Sequence, residues 1–230
     1  MPYAFLPEVA RPAVTVDMLV FTLQDAALAL LLVERGLMPY RGRLALPGGF
    51  LHVGEAGRGG ETLDDAAARE LVEETGLGAA QVTLGQLGAF GAPGRDPRGR
   101  TITVAYFALV RPEAASAVRA GSDAAAARWL RVSDLDLDAL AFDHGRIIAA
   151  ALTRLRRDVD RAGAALALVP ETFTGRELRE VHEAIHGQRL DAANFNRHLR
   201  RLIEDGGIAP VAGRRATGKR PARLYRALAR

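Results

Sequence analysis

Arg69-Glu70-Leu71-Val72-Glu73-Glu74-Thr75-Gly76-Leu77 is the stretch on which the reading of this chain turns. In a helix, Glu70, Glu73 and Glu74 fall at i, i+3 and i+4 and share one face. Three like charges so placed repel by roughly a few tenths of a kcal/mol per pair, and a divalent cation removes that cost. Carboxylate oxygens on one face suit Mg²⁺ or Mn²⁺, with phosphate oxygens completing the shell. The ordinary alternative is a solvated acidic face. Arg69 is placed to pair with a carboxylate and fix its rotamer, while Leu71 and Leu77 anchor the helix in the core. Thr62 caps its start, Asp64 and Asp65 occupy the first turn, and Gly76 ends it.

Upstream, Val14 to Leu23 and Ala27 to Val33 read as strands joined by a tight turn at Gln24-Asp25. Arg43 to Leu46 is a short strand, which Pro47-Gly48-Gly49 should stop. A glycine-rich charged loop follows, from Gly54 to Gly60. Downstream, Val82 to Phe90, Thr101 to Leu109 and Ala127 to Val132 predict three more strands, and His144 to Arg157 an amphipathic helix. The chain has 230 residues, 49% of them hydrophobic, 25% charged and none cysteine. This excludes a disordered chain, a disulfide scaffold, thiolate metal sites and cysteine nucleophiles. The longest apolar run, Ala26 to Val33, is far short of the roughly 20 residues of a membrane span. With no signal-peptide pattern at the N-terminus, the expected compartment is the cytoplasm, with no membrane partner.

The acidic helix resembles the Nudix box: a glycine, five residues, a glutamate, seven residues, then Arg-Glu-hydrophobic-x-Glu-Glu-x-Gly-hydrophobic. Glu61 through Arg69 to Leu77 fits, with seven residues between Glu61 and Arg69, and Pro47-Gly48-Gly49-Phe50 is similar to the segment before it. The front half departs: eleven residues separate Gly49 from Glu61, a six-residue insertion, so that Glu55 and Glu61 compete for one role. The insertion bears on catalysis more than on binding, since an attacking water must be aligned far more closely than a captured ligand. The resemblance implies a mixed sheet sandwiched by helices, with Glu70, Glu73 and Glu74 as metal ligands and Glu61, Glu73 and Arg69 as the catalytic set. Gly91 to Arg100 is a turn-forming run rich in arginine, and guanidinium groups there suit a pyrophosphate. Its Arg-Asp-Pro-Arg resembles the ADP-ribose branch of the Nudix proteins, making Arg95 and Arg98 ligand candidates beside Gly48, Gly49 and Phe50. Phe50 and Tyr106 read first as core residues and only second as platforms for a base.

Charge divides the chain. Residues 1–169 carry 18 basic and 20 acidic side chains, residues 170–230 carry 13 and 7. A basic C-terminal third suggests a polyanion partner. Residues 158–170, alanine-rich, read as a connection. Thr174-Gly175-Arg176-Glu177 is a capping box opening a helix to about Ile185, and Asp191 caps a second helix to about Glu204. On that helix Phe195, Leu199 and Leu202 form an apolar stripe. Asn194, Arg197, Arg200 and Arg201 lie outside it, as a recognition helix requires. Ile208 to Ala212 and Ala222 to Tyr225 predict a hairpin with Arg214, Arg215, Lys219 and Arg220 as a basic wing on phosphates or the minor groove. A docking domain with a solvated basic face is the alternative.

A Nudix domain followed by Phe173-Thr174, Leu190-Asp191, Asn194-Phe195 and Arg220-Pro221-Ala222 resembles the NrtR family of Nudix-related transcriptional regulators. The resemblance implies an α+β chain with a Nudix effector domain at 1–157 and a winged helix-turn-helix at 158–230. It further implies a homodimeric repressor of NAD-metabolism genes that binds a palindromic double-stranded operator and senses ADP-ribose or a related nucleotide. The reading from a different class is a Mg²⁺-dependent pyrophosphatase that cleaves ADP-ribose or another nucleoside diphosphate derivative, in which a metal-activated water attacks phosphorus and a box glutamate is the base.

Overall fold

Alternation along the first strand sets the layers. Val16, Met18 and Val20 point to one face of a sheet, Leu19 and Phe21 to the other, and all are buried. A computed structural model describes residues 11–54, 59–78, 81–116, 118, 127–159, 162–216 and 221–228. Its elements run β1 (Ala13–Gln24), β2 (Ala27–Glu34), β3 (Leu44–Ala45), β4 (Gly48–Phe50), α1 (Leu63–Thr75), β5 (Val82–Phe90), β6 (Thr101–Val110), α2 (Pro112–Ala115) and β7 (Ala127–Arg131). Then follow α3 (His144–Asp158), α4 (Ala162–Ala167), β8 (Phe173–Thr174), α5 (Gly175–His186), α6 (Ala192–Glu204), β9 (Ile208–Arg215) and β10 (Ala222–Ala227). The first seven strands form one mixed sheet in the order β3-β2-β1-β6-β5, with β4 on β1 and β7 on β2. β1 and β6 run parallel, and the other pairs are antiparallel. Helix α1 covers one face through Ala66, Ala67 and Leu71. Helix α3 covers the other through Ile147, Ile148, Ala151 and Leu155.

Three local expectations change. The β1–β2 turn is Asp25-Ala26, one residue later than expected, because Gln24 still pairs with Ala27. Both turn residues have positive φ, 48° and 57°, the twist that a two-residue hairpin favours. Gly48-Gly49 does not stop the sheet: β4 pairs its Gly48 with Asp17 and its Phe50 with Thr15. Gly48 sits at φ 151°, where a Cβ would come within 2.2 Å of the Val16 carbonyl oxygen, so glycine is what lets this strand approach. The alanine-rich connection contains α4, and Ala165, Leu166, Leu168 and Val169 are buried.

The C-terminal helices and hairpin form where expected. Thr174 and Glu177 complete a capping box on α5, and Gly187 ends it in the left-handed conformation. Asp191 caps α6 by accepting the Asn194 N–H. Phe195, Leu199 and Leu202 pack inward with Val181, Ile185 and Tyr225 in the same apolar cluster that holds α3 and the sheet. No described helix is long and apolar enough to cross a membrane.

Candidate functional site

The six inserted residues are pinched off at their base. Val53 and Gly60 form an antiparallel bridge, and the Glu61 N–H donates to the His52 carbonyl at 3.1 Å. Gly60, at φ 109°, permits this: a Cβ there would meet the His52 oxygen at 2.8 Å. This bridge sets Glu61 against Arg69 on the far side of the insertion. Arg69 Nε donates to Glu61 Oε2 at 2.9 Å and its Nη2 to Oε1 at 2.7 Å, a two-pronged carboxylate pair. Its Nη1 reaches Glu70 at 2.7 Å and Glu73 at 3.0 Å, and Nη2 also donates to the Phe50 carbonyl at 3.1 Å. The Arg69 hydrogen bonds hold the Glu61 carboxyl down at about 2. Burial pushes Glu70 the other way, against the pull of Arg69. Gly49 packs on Glu70 so closely that a Cβ would lie 2.2 Å from Oε1. Glu55 lies outside the described residues.

Glu70, Glu73 and Glu74 thus share one helical face. Among the described residues, however, no three acidic or histidine side chains already converge as a metal site. The carboxylates of Glu61, Glu70 and Glu73 converge on Arg69 instead. The donor set is all oxygen, which fits a hard divalent cation.

Glu74, Gly48, Gly49 and Phe50 line a cleft of about 320 Å³ together with Arg35, Arg95, Arg98, Asp96, Phe142 and His144. Arg95 is 7% exposed. Its Nε and Nη2 grip Asp143 at 2.8–3.1 Å, and Nη2 reaches Asp17 at 3.3 Å. Arg98 is half-exposed and forked onto buried Asp96 at 2.7 and 3.0 Å, which keeps the Asp96 carboxyl below the usual range. Its guanidinium lies over Phe50 at 5.4 Å and Phe142 at 5.6 Å. Phe50, 46% exposed, lies at the surface and not in the core. Tyr106 is buried and donates to Asp64 at 2.7 Å, so it serves the core. His144 Nδ1 accepts the Leu46 N–H at 2.8 Å, and burial pushes its pKa down.

On α6, Asn194, Arg197, Arg200 and Arg201 are exposed opposite the buried stripe, and Arg197 donates to Asn194. The wing is less uniform than expected. Arg214 is exposed, within β9. Arg215 turns inward to Glu177 at 2.5 Å and to the Thr172 carbonyl at 2.9 Å, tying the hairpin to the cap of α5. Lys219 and Arg220 lie outside the described residues.

The NUDIX domain family matches residues 11–151, and the NrtR DNA-binding winged helix domain matches residues 165–227. The chain belongs to the NrtR family. It is 35% identical over 94% of its length, and 82% of the relative's, to the ADPR responsive transcriptional repressor NtrR of Acinetobacter baylyi. It resembles the crystal structure of Shewanella oneidensis NrtR with a 27mer DNA at 33% identity and TM-score 0.76, covering 94% of this chain and 93% of that one. The NUDIX domain of the same Shewanella protein complexed with ADP ribose is 33% identical with TM-score 0.56, covering 66% of this chain and 94% of that one. Within this family frame, sequence reasoning missed Arg35, Asp143 and Phe142. No local pattern marks them; only the closure of the cleft brings them to Arg95 and Arg98. Asp96 stood inside the Arg-Asp-Pro-Arg run and was legible there.

Proposed function

We propose that the protein is a cytoplasmic, homodimeric transcriptional repressor of NAD-metabolism genes. Residues 1–157 form the Nudix effector domain, sensing ADP-ribose or a related nucleotide, and residues 158–230 the DNA-binding domain. The carrying observation is an exposed basic face on α6, whose buried stripe shares one apolar core with Leu46 of the arginine-lined cleft. Asn194, Arg197 and Arg201 read the operator, and Arg200, Arg214, Lys219 and Arg220 contact phosphates. Arg215 supports the wing. Glu70, Glu73 and Glu74 would hold Mg²⁺ or Mn²⁺, which when bound neutralises charge on the ligand's phosphates. Arg69 positions Glu61 and Glu73 beside it.

The test is an anisotropy titration of operator DNA with and without saturating ADP-ribose. Weaker binding with ADP-ribose supports the reading; identical curves sink the sensor. Because Glu61 reaches Arg69 despite the insertion, a pyrophosphatase remains the second reading. AMP release from ADP-ribose with Mg²⁺ supports it, and an intact nucleotide removes it.

A further inference from the structure

Three arginines line the cleft, and they are not equivalent. Arg95 is buried between Asp143 and Asp17, so its charge is already matched. Arg98 gives Nε and Nη2 to Asp96, leaving Nη1 outside that fork. Arg35 has no carboxylate in direct contact: its Nε donates to the Pro39 carbonyl at 2.8 Å, it forms no ion pair among the described residues, and Asp96 and Asp17 act on it only from a distance. The Arg35 guanidinium lies over the Phe142 ring at 4.7 Å, and that of Arg98 over the same ring at 5.6 Å. Phe142 is itself held at φ 53°, and Tyr40, edge-on to it at 4.9 Å, at φ 67°. Bulky side chains in the left-handed region are strained, and such strain clusters at ligand clamps.

We propose that Arg35 and Arg98 together receive the phosphate or pyrophosphate of the cleft's ligand, that Phe142 is the plate holding their guanidinium groups, and that Arg95 is a buttress and not a ligand contact. The proposal rests on the nucleotide-sensing reading above. Two like charges facing one ring at the mouth of a cleft gain most from an anion between them. Burial first, and then the neighbouring Arg98, hold Arg35 below the ordinary guanidinium range, a cost that a bound anion relieves.

The test is calorimetry on the full chain with chelator present, titrating ADP-ribose, inorganic pyrophosphate, AMP and adenosine. Arg35→Gln and Arg98→Gln should each weaken ADP-ribose and pyrophosphate by about ten- to a hundredfold. Their double variant should lose less than the product, because they share one anion. Arg35→Lys should fall between, keeping charge without the fork. AMP binding with no pyrophosphate binding assigns the anion to a nucleoside phosphate; pyrophosphate binding alone keeps the cradle and sinks the nucleotide reading. ADP-ribose affinity unchanged in Arg35→Gln overturns the cradle and leaves that reading standing, and binding of neither ligand by the wild type overturns both. Should Arg35→Gln misfold, phenylglyoxal labelling of the wild type decides: pyrophosphate should protect Arg35 and Arg98, and equal labelling with and without it overturns the proposal.

Discussion

Arg69 governs the acidic helix, because one guanidinium holds Glu61, Glu70 and Glu73 together. A carboxyl whose pKa is depressed by folding stabilises above its unfolded value and loses that stabilisation as pH falls through the folded one. For Glu61 the window runs from its ordinary 4.5 down to about 2. Glu70, raised by burial, runs the opposite way: its contribution is present below its ordinary value and lost as pH rises. Glu61→Gln should therefore flatten the acid limb of the wild-type stability curve below pH 4.5, read by chemical denaturation at stepped pH. Parallel limbs would show that Arg69 does not control the Glu61 carboxyl. A divalent cation must compete with Arg69 for Glu70 and Glu73. Glu74→Gln, which leaves the Arg69 contacts in place, should weaken metal-dependent nucleotide binding without weakening the metal-free kind; an equal loss in both would remove Glu74 from the metal set.

Helix α6 presents two jobs on one cylinder. Its buried stripe fixes orientation, and the exposed face is then free to discriminate. Arg197→Ala should relax sequence preference by about 1–3 kcal/mol if it reads a base edge. Arg200→Ala should weaken all sequences alike and lower the salt slope by about one. Unchanged affinity in both would indicate a docking helix. Elements such as α1, α5 and α6 were legible because caps and apolar periodicity are local signals. β4 was not, because Gly48 and Gly49 read as breakers while in three dimensions they permit close approach to Val16 and Glu70. Arg215 read as part of the wing tip, and only the register of β9 puts it beside Glu177. The box helix could be read, but not the cleft wall of Arg35 and Phe142, which depends on a loop between β7 and α3 folding back over β2.

For the whole molecule, the decisive feature is that residues 165–169 of the connection between the modules are buried. Leu168 and Val169 have no exposed surface and share a cluster with α3, the sheet and α5. Arg156 and Arg111 add hydrogen bonds to the Ile185 and Val169 carbonyls at 3.2 and 2.8 Å. Strand β2 lines the cleft at its Val33–Glu34 end and packs against α5 elsewhere. A ligand can shift DNA affinity only by its differential affinity for two arrangements, typically about 1–3 kcal/mol, or 5–150-fold, and DNA must shift ligand affinity by the same factor. A shared core makes that exchange possible without a hinge, because neither module can repack alone. Fluorescence of Trp129, the single tryptophan, and far-ultraviolet dichroism should therefore melt together in one transition. Leu168→Ala should destabilise by about 2–5 kcal/mol and reduce the reciprocal effect of ADP-ribose and operator, since the cavity uncouples the layers it joins. Two separated transitions in the wild type, or a Leu168→Ala protein that loses stability yet keeps the full linkage, would show that the buried connection holds the modules together without carrying the signal between them.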